Sequence, residues 1–308
     1  MTPEAQEKYQ KWLAHHQFTP TELDNFGRCP VKFFSESVLK VRTEPEPEVE
    51  LTAAELGKII HRILEVFMKR SGPLLYQHGL TTSIQEQLEQ DARQVFAREA
   101  AHRSNASKPL LMRQQGQVLR SLQSFLEQEA GNFELRPRHF EWSFGRGTHP
   151  LQLRLPDGSS LQIAGRIDRI DVDERKKRFL VIDYKTGSTH ISGKQILRGE
   201  SFQIPLYILA VQQLLLPDYE PIGGLYYHFS DMSKKDGLIH AERVPDSLTF
   251  HPRSSSVVPG AKWDDSFQAI LQSLTECVQK IRRGSFQPNA QPCHISCPLR
   301  FYCHPGMS

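Results

Sequence analysis

Two aspartates and a lysine occupy the ends of two neighbouring predicted strands. Asp168 ends one apolar stretch. Asp183 and Lys185 end the next, one on each side of Tyr184. Side chains alternate along a strand, so Asp183 and Lys185 should share one face. Paired carboxylates are the ligands that Mg²⁺ prefers, and the lysine could orient or help deprotonate a water or stabilise charge on a phosphate. The same short motif also fits an exposed strand end with an ion pair, and both interpretations stay open.

Two further pairs of residues, each spaced by one helical turn, could join these groups. His61 and Glu65 lie in a helical pattern before the strands, at positions i and i+4. Gln203 and Tyr207 have the same spacing in a helical pattern after the second strand. Residues four apart are neighbours on a helix surface, so both members of a pair face the same region. Either pair alone is also typical of an ordinary amphipathic helix with its polar face in water.

Three of the five cysteines crowd into the C-terminal tail. They are Cys293, Cys297 and Cys303, whereas Cys29 lies near the N-terminus. A reducing cytosol disfavours disulfides, so this crowding indicates metal or redox chemistry. Cys277 lies inside a helical pattern and is predicted to be an ordinary buried residue.

The composition is that of a globular protein. Hydrophobic residues make up 38% of the 308 residues and charged residues 24%, which argues against a disordered or fibrous chain. A formal charge of +3 excludes a histone-like polycation but not a local basic groove. No apolar run approaches the roughly 18 residues of a membrane helix, and the first residues lack the pattern of a secretory signal. We therefore expect no membrane association and a cytoplasmic location.

The elements that would position these groups follow the order helices, strands, helix, strand, helix. Capping boxes at Thr19 and Thr52 mark the starts of the first two predicted helices. The predicted helices cover residues 22–32, 52–69, 83–131, 202–216 and 264–283, and the predicted strands cover residues 138–144, 151–155, 161–171, 178–183 and 223–229. The first four strands should form an antiparallel meander, and the acidic stretch 42–50 an exposed linker. This order favours an α/β or α+β fold around one central sheet.

Taken in order, these motifs resemble the PD-(D/E)XK nucleases of the RecB exonuclease family. The motifs are, in chain order, Gly57…His61…Glu65, Gly165-Arg166-Ile167-Asp168, Asp183-Tyr184-Lys185-Thr186-Gly187 and Gln203-x-x-x-Tyr207. Residues 19–34 are similar to the entry segment of the AddB-type members. The resemblance covers roughly residues 19–304, and the ordered set is much more specific than any single motif.

This resemblance implies a fold and a domain organisation. The fold would be α/β, with a mixed central sheet flanked by helices and a restriction-endonuclease-like core. Residues 1–308 would form a single nuclease domain, with the catalytic sheet region over 133–230 and a helical insertion over about 72–132. A clip made of residues 19–40 and 286–304 would join the two termini.

The resemblance also implies a role for each candidate site residue. His61, Asp168, Asp183 and the backbone carbonyl of Tyr184 would be the metal ligands. Lys185 would be the catalytic lysine. Gln203 and Tyr207 would shape the site and contact the nucleic acid, and Glu65 completes the candidate catalytic set without a defined role. Since an imidazole is softer than a carboxylate, the metal would be Mg²⁺ or Mn²⁺.

The resemblance further implies that the cysteines bind a 4Fe–4S cluster. Cys29 would join Cys293, Cys297 and Cys303, which together supply the four thiolates of such a cluster. Three residues separate the first two of the late cysteines, where the family has two. His294 and His304 lie beside them, so a structural Zn²⁺ site of mixed Cys and His remains the alternative. Either metal would stabilise the fold without taking part in catalysis.

These observations predict a metal-dependent DNA nuclease. It would act as an exonuclease or endonuclease on single-stranded DNA or duplex ends, in DNA repair, recombination or end processing. The chain has no Walker-type phosphate-binding motif, so ATP-driven unwinding would need a helicase subunit or domain as partner. The alternatives are a catalytically inactive nucleic-acid-binding module of a helicase–nuclease complex and a metal-dependent phosphohydrolase with another substrate.

Overall fold

A six-stranded mixed sheet forms the centre of the protein. The computed structural model describes residues 2–41, 52–101, 108–130, 134–145, 147, 149–187, 190–251, 254–288, 299 and 303. The strands are β1 (Arg136–Phe144), β2 (Leu151–Arg154), β3 (Ser160–Ile163), β4 (Gly165–Asp173), β5 (Arg178–Lys185), β6 (Glu220–His228), β7 (Ser233–His240) and β8 (Val257–Val258). The central sheet has the order β1-β4-β5-β6-β7-β8, and β2 and β3 form a separate two-stranded sheet. The β5–β6 and β7–β8 pairs are parallel and the other pairs are antiparallel.

Helices cover both faces of this sheet. They are α1 (Pro3–His15), α2 (Pro20–Arg28), α3 (Pro30–Phe33), α4 (Ala53–His78), α5 (Thr82–Ala101), α6 (Lys108–Glu129), α7 (Gly193–Leu197), α8 (Gln203–Leu214) and α9 (Trp263–Arg282). One hydrophobic core lies between the sheet and α4–α6, and the other between the sheet and α2, α8 and α9. Strand β5 shows why: Phe179 and Val181 join the α8 core, whereas Leu180 and Ile182 join the α4 core. The predicted α/β fold with a mixed sheet flanked by helices is confirmed.

The predicted meander is wrong in its strand pairing. Strand β1 pairs with β4, and β2 and β3 form their own hairpin between them in the chain. The predicted strand 161–171 is divided at Ala164, because the backbone of Phe18 bonds there. Phe18 N donates to Gln162 O and Ala164 N donates to Phe18 O, both at 2.9 Å. This contact ends the hairpin and lets the chain enter the central sheet as β4.

Two predicted helices have different bounds in the structure. The first ends at Arg28 instead of residue 32, because Pro30 favours an extended conformation in the preceding residue, and Cys29 has φ −154° and ψ 98°. The second continues past residue 69 to His78, through Pro73. Burial of Leu75 and Tyr76 compensates the cost of a proline inside a helix.

The helical region 83–131 consists of two helices, α5 and α6, and residues 102–107 between them lie outside the described residues. The predicted insertion, about 72–132, starts inside α4. The acidic stretch 42–50 also lies outside the described residues. None of the helices in the described part of the chain has the length and apolar character needed to cross a bilayer.

Candidate active site

The end of β5 presents Asp183 and Lys185 toward α8. Lys185 Nζ lies 2.5 Å from Asp183 Oδ2 and donates to Gln203 Oε1 at 2.9 Å. Gln203 Nε2 in turn donates to Asp183 Oδ1 at 2.8 Å and to the Tyr207 hydroxyl at 3.4 Å. Strand alternation puts both charged residues on the α8 face, and Gln203 begins α8. The structure therefore brings these four predicted residues together in one hydrogen-bonded array.

His61 on α4 and Asp168 on β4 lie next to this array at the end of β5. His61 Nδ1 lies 3.3 Å from Asp168 Oδ1, and His61 Nε2 lies 3.3 Å from the carbonyl oxygen of Tyr184. The register between β4 and β5 ends at the pair Arg169 and Ile182, so Asp168 and Asp183 are level. At this level the Tyr184 N–H donates to Asp168 Oδ2 at 2.8 Å.

Glu141 is a further candidate site residue, which the sequence motifs did not single out. Its carboxylate belongs to a potential metal-binding group with His61 and Asp168, in which the ligand atoms all lie within 4.8 Å of one another. The β1–β4 register puts it opposite Asp168, and it adopts a left-handed backbone conformation with φ 53°. Arg166 pairs with the same carboxylate. The sequence signal that could have identified Glu141 is that it is the one acidic residue within the predicted strand 138–144.

The electrostatics of the site favour a bound cation. Burial, and then the charge of Asp168, raise the pKa of Asp183 despite the neighbouring Lys185. Burial and the charge of Asp168 likewise raise the pKa of Glu141. Burial alone would lower the pKa of His61, but its hydrogen bond to Asp168 and the surrounding carboxylates raise it to about 9.

These side chains fit a divalent metal ion. Asp183 Oδ2 is buried and, apart from the ion pair with Lys185, has no aligned hydrogen-bond donor among the described residues. The ligand atoms of His61, Glu141 and Asp168 lie within 4.8 Å of one another. Asp183 and the Tyr184 carbonyl lie next to this group at the end of β5. This is an oxygen-rich donor set of the kind that Mg²⁺ and Mn²⁺ prefer, and a cation would compensate the buried negative charge.

Glu65 is engaged along its own helix. Its carboxylate accepts from Arg62 Nη1 at 2.6 Å and from Lys69 Nζ at 2.8 Å. Partial burial acts to raise the pKa of Glu65, but these two hydrogen bonds and charges outweigh it and lower the pKa. The described contacts of Glu65 therefore do not include the Asp183–Lys185–Gln203 array.

The structure describes only part of the predicted cysteine clip. Cys29 lies between α2 and α3, where its Sγ accepts from Lys32 N at 3.4 Å, and Cys303 is buried. Cys293 and Cys297 lie outside the described residues. Cys277 is buried in the α9 core, as expected of an ordinary packing residue, and burial raises its pKa to about 12.

Comparison with known proteins identifies the family. The family model of the PD-(D/E)XK nuclease superfamily matches residues 17–304. The chain is also similar to bacterial proteins whose names describe them as one of the subunits of an ATP-dependent helicase/deoxyribonuclease. One from Moorella thermoacetica is 30% identical over 67% of this chain and 19% of the relative. One from Listeria monocytogenes is 24% identical over 92% of this chain and 29% of the relative.

A third relative of the same name, from Symbiobacterium thermophilum, is 27% identical over 82% of this chain and 22% of its own length. The chain thus spans less than a third of the length of these relatives. The match to the family model covers most of the chain and includes every predicted active-site motif. The chain belongs to the PD-(D/E)XK nuclease superfamily, as a nuclease domain of the RecB-like, AddB-type kind.

Proposed function

We propose that this chain is a metal-dependent deoxyribonuclease that hydrolyses phosphodiester bonds. The observation that carries the proposal is the joint presence of Asp183, Lys185 and Gln203 in one array beside His61 and Asp168. A catalytically inactive nucleic-acid-binding module would not need this complete set. The array combines a buried carboxylate, an ammonium group and a side-chain amide. These groups can bind a metal ion, stabilise charge on a phosphate and contact the substrate, as phosphodiester hydrolysis requires.

The residues divide the chemistry between them. His61, Asp168, Asp183 and the Tyr184 carbonyl would hold a Mg²⁺ or Mn²⁺ ion, with Glu141 as a further carboxylate. The ion, when bound, would supply a Lewis acid that offsets negative charge on the phosphate.

Lys185 is held in place by Asp183 and by the side-chain carbonyl of Gln203, so its ammonium group is preorganised next to the proposed ion. There it orients the attacking water and stabilises charge on the phosphate oxygens. Tyr207, hydrogen-bonded to Gln203, fixes the orientation of that amide. Tyr207 and Gln203 are also the groups on α8 that would contact the nucleic acid.

A helicase partner is part of the same proposal. The three relatives carry names that combine a helicase with a deoxyribonuclease, and this chain aligns with only a fraction of each. The nuclease would therefore act in DNA repair, recombination or end processing on strands that a separate helicase subunit or domain has opened.

The direct test is incubation of the purified chain with end-labelled DNA. Single-stranded and duplex substrates are compared in Mg²⁺, Mn²⁺ and EDTA. We expect cleavage in either metal and none in EDTA. DNA binding without cleavage in both metals would contradict the proposal and favour the inactive binding module. Hydrolysis of small phosphoesters with no cleavage of DNA would favour a phosphohydrolase with another substrate.

Replacement of Asp168 by asparagine tests the metal site. We expect Asp168→Asn to weaken Mn²⁺ binding by about 10-fold or more in calorimetry, because one anionic ligand is lost. In the metal-free protein the pKa of His61 should fall from about 9, because burial then dominates, and an NMR titration measures this. The matched control is Asp264→Asn, at an exposed position of α9. Unchanged Mn²⁺ affinity in Asp168→Asn would contradict its role as a ligand.

The proposed metal clip has support from contacts between the two ends of the described chain. Phe286, which follows α9, stacks on Phe34 with ring centroids 4.5 Å apart and also contacts Phe26 and Phe33. These rings flank Cys29 in the chain. The proposed ligand set remains Cys29, Cys293, Cys297 and Cys303, with a 4Fe–4S cluster and with a structural Zn²⁺ as the alternative.

Replacement of Cys29 by serine tests this clip. We expect Cys29→Ser to lose bound iron and to lower Tm by roughly 5 °C or more, about 2 kcal/mol for a chain of this size. The matched control is Cys277→Ser, which should retain the metal and lose only a little packing energy. Anaerobically purified protein should be brown, with iron and sulfide in comparable amounts. Colourless protein with stoichiometric zinc would contradict the iron–sulfur cluster and favour the zinc site. Full metal content in Cys29→Ser would show that Cys29 is not a ligand of this metal.

A further inference from the structure

A second cluster of potential metal ligands lies beside the end of β5. It shares no residue with the group of His61, Glu141 and Asp168. It consists of His190, His228 and Asp236, whose ligand atoms all lie within 4.8 Å of one another. His228 ends β6, Asp236 lies on β7, and His190 lies between β5 and α7. The β6–β7 hairpin therefore contributes two of the ligand groups, and the segment before α7 contributes the third.

The distances between these ligand atoms fit a single small ion. Asp236 Oδ2 lies 3.2 Å from His228 Nε2 and 2.7 Å from His190 Nδ1. The two imidazole rings are 4.1 Å apart between centroids. Zinc bonds of about 2.0–2.1 Å in tetrahedral geometry place neighbouring ligand atoms roughly 3.3 Å apart. The ring of His190 would need to move by only a fraction of an ångström from its hydrogen bond with Asp236.

The buried ring nitrogens of His228 lack hydrogen-bond partners among the described residues. Its side chain is completely buried, and neither ring nitrogen has an aligned hydrogen bond to any described residue. A buried polar atom without a partner destabilises the fold, so its retention calls for a compensating interaction. The Nε2 atom faces the carboxylate of Asp236, which is itself nine-tenths buried. A metal ion bound by both groups supplies that interaction.

The surroundings of His190 have the form of a metal site with an outer carboxylate. While Nδ1 faces Asp236, the other ring nitrogen, Nε2, lies 3.9 Å from Asp231 Oδ2. A carboxylate behind a ligating histidine fixes the ring orientation and raises its basicity. The side chain of His190 is 35% exposed, so the site has a route to solvent.

We infer that His190, His228 and Asp236 form a site for a transition-metal ion of the zinc class, with one coordination position open to solvent. Two imidazoles and one carboxylate favour Zn²⁺ over Mg²⁺, which prefers oxygen ligands. This selectivity separates the site from the carboxylate-rich site around Asp168. The inference does not rest on the proposed nuclease function, because its ligands are not those of the catalytic ion.

The position of this site gives it a structural consequence. His228 is the partner of Lys185 in the parallel β5–β6 register, and Phe229 N donates to Lys185 O at 2.8 Å. A metal ion bound to His190 and His228 would connect the segment that follows Lys185 to the end of β6. Occupancy should therefore stabilise the end of the strand that carries the catalytic lysine.

The experiment measures zinc stoichiometry in the full chain. Protein as purified is dialysed against Zn²⁺ and its metal content is measured by mass spectrometry, for the parent chain, His190→Ala and His149→Ala. His149 is an exposed histidine outside the cluster. Because the same cysteines are present in all three proteins, the difference isolates this site. We expect His190→Ala to hold one zinc fewer than the parent and His149→Ala to match the parent.

Spectroscopy and melting provide independent readouts. Co²⁺ at this site should give visible d–d absorption without thiolate charge transfer, and His190→Ala should lose that component. Added Zn²⁺ should raise Tm more in the parent than in His190→Ala. Equal zinc content in the two proteins would overturn the inference. So would a lower Tm of His190→Ala that does not depend on Zn²⁺, since the His190–Asp236 contact would then be a hydrogen bond only.

Discussion

Lys185→Ala and Asp183→Ala should each reduce DNA cleavage by about 10³-fold or more while leaving the fold and DNA binding largely intact. The ammonium group of Lys185 is held at the site by Asp183 and Gln203, and its proposed work is stabilisation of charge that develops in the transition state. Asp183 is a proposed ligand of the ion and the partner that positions the lysine. Both contributions therefore affect kcat more than substrate binding.

A matched control separates this effect from a general loss of positive charge. Lys194 is an exposed lysine on α7, and Lys194→Ala should cleave at the parent rate. Gel assays of cleavage, with DNA binding measured in Ca²⁺ or EDTA, distinguish catalysis from binding. Cleavage at the parent rate by either site variant would show that the active site is assigned to the wrong residues.

Short-range periodicity is enough to predict which of the candidate residues lie side by side. Alternation in β5 is enough to place Asp183 and Lys185 on one face, and both face α8 as expected. A helical turn is enough to place Gln203 beside Tyr207, and they are hydrogen-bonded. Capping boxes at Thr19 and Thr52 begin α2 and α4. Local geometry fixes all of these features, so one sequence suffices to predict them.

Features that depend on long-range pairing were harder to predict. Glu141 lies at the candidate site because β1 pairs with β4 and because its own backbone is left-handed, and neither fact has a local sequence signature. The strand 161–171 is divided because Phe18, far away in the sequence, bonds to its backbone. Strand β7 was missed because it begins with polar residues, Ser233-Lys234-Lys235-Asp236, that do not alternate with apolar ones.

The alternation in β4 also has a consequence on the opposite face of the sheet. Asp168 faces the candidate active site, and the next residue, Arg169, points into the core under α4–α6, where its side chain is fully buried. Arg169 donates to both carboxylate oxygens of Asp171 at 2.6 Å and to Glu129 Oε2 at 2.6 Å. Lys234 donates to the other oxygen of Glu129 at 2.8 Å. This buried network joins α6, β4 and β7 on the opposite face of the sheet from the candidate active site.

Arg169→Met should lower the free energy of unfolding by about 3–5 kcal/mol, because Asp171 and Glu129 would keep buried charges without their main partner. Burial alone raises the pKa of Glu129, but the charges of Arg169 and Lys234 outweigh it and lower the pKa to about 2. The matched control is Arg138→Met, at an exposed ion pair on β1, with an expected loss of about 1 kcal/mol or less.

The pH dependence of the stability of Arg169→Met shows whether Arg169 acts through its charge on Glu129 or through packing. Because the pKa of Glu129 is lowered on folding, its contribution is present above the unfolded value, near 4.5, and is lost as the pH falls toward about 2. Without Arg169 that contribution is reduced, so the stability gap between parent and variant should narrow as the pH falls through this window. Urea unfolding at a series of pH values measures the gap. A gap that stays constant down to pH 3 would show that Arg169 stabilises the protein by packing and not by its charge on Glu129.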